Sequence, residues 1–184
     1  MDDLTGRLLV AMPSMGDPRF ARAVIFLCAH GEGGAMGLVL NRRATGMKLA
    51  DLAAHLEIER PAPRDLPIHM GGPVEPGRGF VLHSDDWDGD VSTTAAGRGF
   101  ALTSTRDAVE ALAQGEGPVW AFVALGYAGW GGGQLESEIA EGAWLIADAD
   151  ADLVFFTPDG EKWNAVLKSI GVDPVSLSGQ VGRA

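Results

Sequence analysis

Cys28 and His30 are the residues of this chain whose types are best suited to covalent chemistry. They are separated by one residue in segment 23–30, which is rich in Val, Ile and Phe and therefore predicts a β-strand. Because side chains alternate along a strand, both are predicted to lie on the same face. A histidine beside a thiol can activate it as a nucleophile, so the pair is a candidate catalytic site. Core packing is the competing interpretation, since a buried cysteine usually acts as a small hydrophobic residue.

A second group of candidate residues follows the apolar run 119–125, in and after the glycine-rich segment 126–133. Glycine adopts positive φ and permits close backbone approach, so this segment predicts a well-defined turn. Trp130 lies in the turn, and Gln134 and Glu138 are four apart on the predicted helix that follows, where they share a face. We interpret the three as ligand-binding residues. The alternative for Trp130 is burial in the core.

Two further candidates, Asn41 and His83, close predicted strands, where scaffolds commonly present functional groups. They are predicted to bind a ligand together with Gln134 and Glu138, all four lining one concave region. Turn formation is the competing role for polar residues at such positions.

Neither a cofactor nor a metal is predicted. Gly126 and Gly131 fit the first half of a phosphate-loop pattern, but glycines stand where its lysine and hydroxyl residue belong. The acidic helix that follows would also repel phosphate. The four histidines show no HExxH spacing, and a single cysteine cannot build a structural zinc site of the usual kind.

The charge balance argues against nucleic acid as a partner. The net charge is −11, and the 14 basic residues are scattered, with Arg42 and Arg43 the only adjacent pair. Affinity for duplex DNA depends on lysine and arginine displacing counterions. The N-terminus lacks the features of a secretion signal, and no apolar run is long enough to span a bilayer. With one cysteine, the protein is expected to be cytoplasmic, with no membrane association.

The order of predicted elements favours an α+β fold over a doubly wound parallel one, because strands concentrate in the first half and helices come later. Strands are predicted at 7–11, 23–30, 35–41, 68–74, 79–83, 91–94, 100–103, 119–125 and 143–147. Helices are predicted at 48–56, 105–114 and 158–170, with a short acidic helix after the glycine-rich segment. Short connections favour antiparallel pairing. Segment 172–184 has no strong pattern. We expect a single domain over residues 1–184.

Several segments taken together resemble the YqgE/AlgH family of bacterial proteins. They are residues 4–9, 12–13, 17–20, 27–30, 34–41, 71–74, 78–83, 125–130 and 133–136, with Trp144, Leu145 and Trp163. Their order and spacing make the resemblance specific, and it covers nearly the whole chain. It implies one α+β domain with coiled, partly barrel-like, mainly antiparallel sheets flanked by helices. It also carries the label of a transcriptional regulator, which is attached to one member.

Three functions are consistent with these observations. The first is a cytosolic binding or regulatory module that recognises a protein partner or a small molecule through a pocket near the glycine-rich segment. The second is a cysteine- or carboxylate-dependent hydrolase. The third is a DNA-binding regulator, which the net charge of −11 disfavours.

Overall fold

The computed structural model describes residues 2–59, 64–89, 92–104 and 106–178. Its strands are β1 (Arg7–Ala11), β2 (Val24–Gly31), β3 (Gly34–Val39), β4 (Arg43–Lys48), β5 (Pro67–Met70), β6 (Val74–Ser84), β7 (Thr93–Ala95), β8 (Phe100–Thr103), β9 (Ala121–Gly131) and β10 (Trp144–Asp148). Its helices are α1 (Leu49–His55), α2 (Arg106–Ala113), α3 (Gln134–Ala140), α4 (Asp159–Ser169) and α5 (Pro174–Ser178). A 3₁₀ turn covers Pro18–Phe20 and a π-helical turn covers Asp152–Phe156.

The strands form one curled half-barrel sheet in the order β10-β1-β2-β3-β9-β6-β8-β7, and β5 joins β4 to β9. All pairings are antiparallel except β5 with β9. The single-domain α+β fold with mainly antiparallel, partly barrel-like sheets is therefore confirmed. β9 is the central strand, because it pairs with β3, β5 and β6 along different parts of its length.

Three apolar clusters hold helices against the two faces of this sheet. In β2 the alternating side chains divide, with Phe26 in a first cluster and Ile25 in a second. The first cluster includes Val166 and Leu167 of α4, and the second includes Leu135 of α3. A third cluster joins α1 and α2 to β5, β6 and β9. The strand period of two thus divides the apolar residues between the faces.

The predicted helices at 48–56, 105–114 and 158–170 correspond to α1, α2 and α4, and the short acidic helix corresponds to α3. Residue 105 lies outside the described residues. The strand β4 and the π-helical turn were not predicted, because neither has a clear period in the sequence. The segment from 172 contains α5, and residues 179–184 lie outside the described residues, as does residue 91 of the predicted strand 91–94.

The predicted turn at 126–133 and the predicted break between strands 68–74 and 79–83 are wrong, since strands run through most of both segments. Residues 126–131 continue β9, and only Gly132 and Gly133 turn before α3. Likewise, β6 runs without interruption through 74–84, although its pairing with β9 shifts between Val74 and Gly79. In β9, Gly126 lies where a neighbouring backbone approaches closely, since a Cβ there would overlap the carbonyl oxygen of Gly72.

No helix in the described part of the chain is both long enough and apolar enough to cross a membrane.

Candidate functional site

The glycine-rich end of β9 packs directly against the β2–β3 hairpin. Gly34 is paired with Gly131, and a Cβ on Gly34 would overlap the carbonyl oxygen of Trp130. Gly34 also has φ of 131°, which L side chains rarely adopt. Beyond Gly131 the chain turns at Gly133, with φ of 76°, into α3. Backbone contact between the two segments therefore fixes where α3 begins.

A single carboxylate joins two tryptophans beside this turn. Glu138 Oε2 accepts hydrogen bonds from the indole Nε1 of Trp130 at 3.0 Å and of Trp144 at 2.8 Å. Gln134 Nε2 donates to Glu138 Oε1 at 3.0 Å, and its Oε1 accepts from the backbone of Gly131 at 3.1 Å. We call Trp130, Gln134, Glu138 and Trp144 the indole–carboxylate cluster. The structure thus brings Trp130, Gln134 and Glu138 together beside a cavity of about 300 Å³.

A larger open cavity, of about 720 Å³, is also lined by Trp130, and we call it the groove. One wall is the β2–β3 hairpin, where Gly31, Gly33 and Gly34 contribute backbone without side chains. The apolar lining residues are Ala29, Ala35, Met36, Val74, Phe80, Leu102, Tyr127 and Trp130, and the polar ones are His30, Arg78 and Ser104. Phe80 and Tyr127 meet edge to face, with ring centroids 5.6 Å apart.

His30 forms part of the groove wall but is held by hydrogen bonds. Its Nδ1 accepts from the backbone N–H of Leu4 at 3.1 Å, so the ring proton lies on Nε2, which donates to Glu136 Oε1 at 2.8 Å. The pKa of Glu136 is lowered by a backbone hydrogen bond and by the bond from His30. The imidazole therefore ties the N-terminal segment and α3 to β2.

The prediction that Cys28 and His30 share a face of β2 is wrong. The pairing of β2 with β3 shifts between Leu27 and Ala29, so Cys28 is the extra residue of a β-bulge. Cys28 packs in the first cluster, whereas His30 pairs with Ala35, which packs against the second. Burial raises the pKa of the Cys28 thiol to about 12. In this arrangement His30 cannot take the proton from the thiol.

Comparison with known proteins agrees with the geometry. The AlgH-like family model matches residues 8–175. This chain belongs to the AlgH-like family. A UPF0301 protein of Ruegeria pomeroyi is 51% identical over 184 residues, covering 99% of this chain and 100% of the relative. A UPF0301 protein of Cereibacter sphaeroides is 49% identical over 183 residues, covering 99% and 100%. The names of these family members state no reaction or ligand.

Solved structures show the same architecture. The solution structure of the AlgH protein from Pseudomonas aeruginosa matches with a TM-score of 0.80 and 40% identity, covering 99% of this chain and 96% of that one. A crystal structure from Corynebacterium diphtheriae matches with a TM-score of 0.71 at 23% identity, covering 100% and 94%, and supports the fold alone. The AlgH-like fold therefore extends over the full domain.

The prediction that Asn41, His83, Gln134 and Glu138 line one concave region is wrong. Asn41 Oδ1 accepts from the backbone of Val24 at 3.0 Å, and it lines a separate cavity beside α4. His83 pairs with Ala121, at the opposite end of β9 from the glycines. Because β9 is a long strand, its two ends cannot contribute to one site.

His83 is buried within the sheet, where both ring nitrogens have partners. Nδ1 donates to the carbonyl of Ser84 and Nε2 accepts from Thr103 Oγ1, both at 2.8 Å. Burial lowers the pKa of His83, although the Ser84 carbonyl and the charge of Asp86 act in the opposite direction. A neutral imidazole is consistent with this pairing, and it crosslinks β6 to β8.

A partly buried ionic group beside α4 was not predicted. His69 Nε2 lies 3.0 Å from Asp159 Oδ1, and Arg43 Nε donates to Asp159 Oδ2 at 3.0 Å. Lys162 Nζ donates to the carbonyl of Val154 at 3.0 Å, and burial lowers its pKa to about 8. His69 Nδ1 is buried without a hydrogen-bond partner. These residues come from distant segments, so no local spacing could have indicated them.

Among the described residues, no three His, Cys, Asp or Glu side chains cluster in a way that could hold a metal ion.

Residues of the groove that sequence reasoning passed over are Arg78 and Tyr127, and Trp144 was missed in the indole–carboxylate cluster. Trp144 and Arg78 both lie in segments that carry the family resemblance, which was the available signal. Their contacts, however, follow from strand pairing between segments far apart in the chain.

Proposed function

We propose that the protein is a cytoplasmic binding module with a regulatory role, whose ligand is a small molecule with an apolar body and an anionic group. The observation that carries this proposal is the groove of about 720 Å³. Its volume falls within the range of about 300–1,000 Å³ that is typical of small-molecule sites. The cytoplasmic location rests on composition, with one cysteine in the chain.

The lining of the groove favours an apolar body. Met36, Phe80 and Tyr127 present side chains there, and the glycine-rich wall allows a ligand to approach the backbone closely. Apolar and aromatic walls with a few polar groups are the usual composition of ligand pockets. A concave site of this size favours a small molecule over the flat face of a protein partner.

Arg78 is the residue proposed to bind the anionic group. Its guanidinium lies 5.1 Å from the ring centroid of Phe80, and among the described residues it makes one long hydrogen bond, at 3.3 Å, to Glu75. Both members of that pair are about half exposed, so the ion pair contributes little. The remaining donors of Arg78 are oriented by the stacking and available to a carboxylate, sulfonate or phosphate.

A regulatory role follows from the position of Trp130. Trp130 lines both the groove and the cavity of about 300 Å³ next to α3, and the hydrogen bond to Glu138 fixes its indole ring. A ligand that contacts Trp130 in the groove would therefore also act on α3, because Trp130 is hydrogen-bonded to Glu138 of that helix. The thiol-dependent hydrolase is disfavoured, because Cys28 is buried and the pKa of its thiol is raised to about 12.

The experiment uses 8-anilinonaphthalene-1-sulfonate, whose aromatic body and sulfonate match the proposed ligand class. Binding is followed by fluorescence titration of the native protein. We expect one saturable site, a loss of about tenfold in affinity for Arg78→Gln, and loss of binding for Ala29→Trp, since Ala29 is exposed and lines the groove. Arg98→Gln removes an exposed arginine outside the groove and is the matched control.

Equal binding of the probe by wild type, Arg78→Gln and Ala29→Trp would overturn the proposal. With the probe site mapped, a thermal-shift screen against aromatic and aliphatic acids identifies the natural ligand class. A ligand at 100 times its Kd stabilises the native state by about 2.7 kcal/mol, well within detection.

A further inference from the structure

A separate cavity of about 330 Å³ lies where α4 begins, and it shares no lining residue with the groove. We call it the arginine pocket. The lining residues used below are Arg22, Asn41, Arg42, Asp159, Gly160 and Asn164. Most of them are polar, in contrast to the apolar lining of the groove.

Arg22 is held in an unusual conformation at the mouth of this pocket. Its φ of 55° lies in the left-handed region, which residues other than glycine rarely adopt. Asn41 Nδ2 donates to the carbonyl of Arg22 at 2.9 Å, which fixes that conformation. The guanidinium stacks over Trp163 at 4.5 Å from the ring centroid, and Trp163 is anchored by its own bond to the carbonyl of Ala11. These contacts position the guanidinium, and its N–H groups have no hydrogen-bond acceptor among the described residues.

Arg42 also lines the arginine pocket and, like Arg22, has no carboxylate partner among the described residues. Its Nη2 donates to the carbonyl of Ala21 at 2.7 Å. Within residues 2–59, 64–89, 92–104 and 106–178, neither Arg22 nor Arg42 forms an ion pair. In a chain with a net charge of −11, two unpaired guanidinium groups beside one cavity form a local positive site.

The start of α4 adds backbone donors. No side chain caps this helix of 11 residues, and the space next to Gly160 is open. Uncapped N–H groups at a helix N-terminus attract anions. Asp159 would oppose an anion, but its carboxylate is already paired with His69 and Arg43. These contacts lower the pKa of Asp159 against the effect of its burial.

We propose that the arginine pocket binds the phosphate group of a small polar metabolite. Two planar guanidinium forks and a helix N-terminus together match a compact, multiply charged anion with several acceptor oxygens. The polar neighbours Asn164 and Asp159 suit hydroxyl groups on the rest of the molecule. This site is independent of the ligand proposed for the groove, so either can fail without the other.

The test is isothermal titration of the full chain with inorganic phosphate, glycerol 3-phosphate and acetate at constant ionic strength. We expect saturable binding of both phosphates, and weaker binding of acetate. Arg22→Asn removes the guanidinium but tolerates the left-handed backbone, and it should weaken phosphate binding by about tenfold or more. Arg42→Gln provides a second variant. Arg19→Asn makes the same charge change at an arginine that pairs with Asp17, and it should bind as wild type does.

Three results would overturn the inference: no saturable phosphate binding by wild type, undiminished binding by both folded pocket variants, or acetate binding as tight as phosphate. Circular dichroism of each variant establishes that it is folded. An equal loss in Arg19→Asn would also contradict a localised site, because it would reflect net charge alone.

Discussion

The indole–carboxylate cluster and the arginine pocket are both polar regions near the surface, yet they use their hydrogen-bonding groups differently. Both carboxylate oxygens of Glu138 accept hydrogen bonds from within the fold, donated by Trp130, Trp144 and Gln134. In the arginine pocket, the described part of the chain supplies no carboxylate to Arg22 or Arg42. The first region is satisfied internally, whereas the second retains free donors.

Whether a polar side chain has its hydrogen-bond partners inside the fold distinguishes structural from binding roles better than residue type does. Glu138 and Gln134 were predicted to bind a ligand because they share a polar helix face, but their partners lie within the fold. Asn41 was predicted because it closes a strand, and its amide positions Arg22. A polar residue whose partners are all internal stabilises the fold, and one with unused donors is available to a ligand.

Substitution of Gly34 tests the backbone contact between β3 and β9, next to the indole–carboxylate cluster. Gly34→Ala should destabilise the protein by about 3 kcal/mol or more, since the new Cβ overlaps Trp130 backbone and φ is positive. Gly33→Ala, with nothing within 4 Å of its Cβ position, is the adjacent control and should cost far less. Urea unfolding gives both values. Similar losses would mean that the contact adds nothing specific.

Removal of the shared acceptor tests the cluster itself. Glu138→Ala leaves the Nε1 groups of two buried tryptophans without their partner, and we expect a loss of about 2 to 3 kcal/mol in the free energy of unfolding. Glu141→Ala, which removes an exposed glutamate of the same segment, should change it by about 0.5 kcal/mol or less. If Glu138→Ala left the free energy of unfolding almost unchanged, the structural role assigned to Glu138 would be contradicted and ligand binding would be the better interpretation.

The pH dependence of stability tests the buried side chain of Lys162 in α4. Burial lowers the folded-state pKa of Lys162 to about 8 from 10.5. Between these values the unfolded chain holds the proton and the folded chain has lost it, so stability rises with pH. Lys162→Met should remove a rise on the order of 2 kcal/mol between pH 8 and 10.5.

Lys168→Met is the control, because Lys168 is exposed on the same helix. Urea midpoints measured across that pH range for wild type and both variants give the comparison. A rise that persists in Lys162→Met would show that another group titrates there.

Much of the fold could be predicted because it depends on local periodicity. The run 7–11 is β1, and the helical spacing of Trp163, Val166 and Leu167 gives α4. The glycine-rich segment was assigned as a turn, since glycine favours turns by conformation. In β9 the same residues serve a different need, which is close approach to Gly34 and Gly72. That need arises only when distant strands are paired.

Composition, motif order and periodicity were enough to give the family, the α+β class, the net negative charge and the shared helix face of Gln134 and Glu138, because these are properties of the amino-acid order alone. The tertiary structure alone decided that a bulge at Cys28 separates it from His30, and that His69 meets Asp159. It also placed Arg22 and Arg42 at one cavity. Register shifts and long-range pairing set these contacts, and neither is encoded in local spacing.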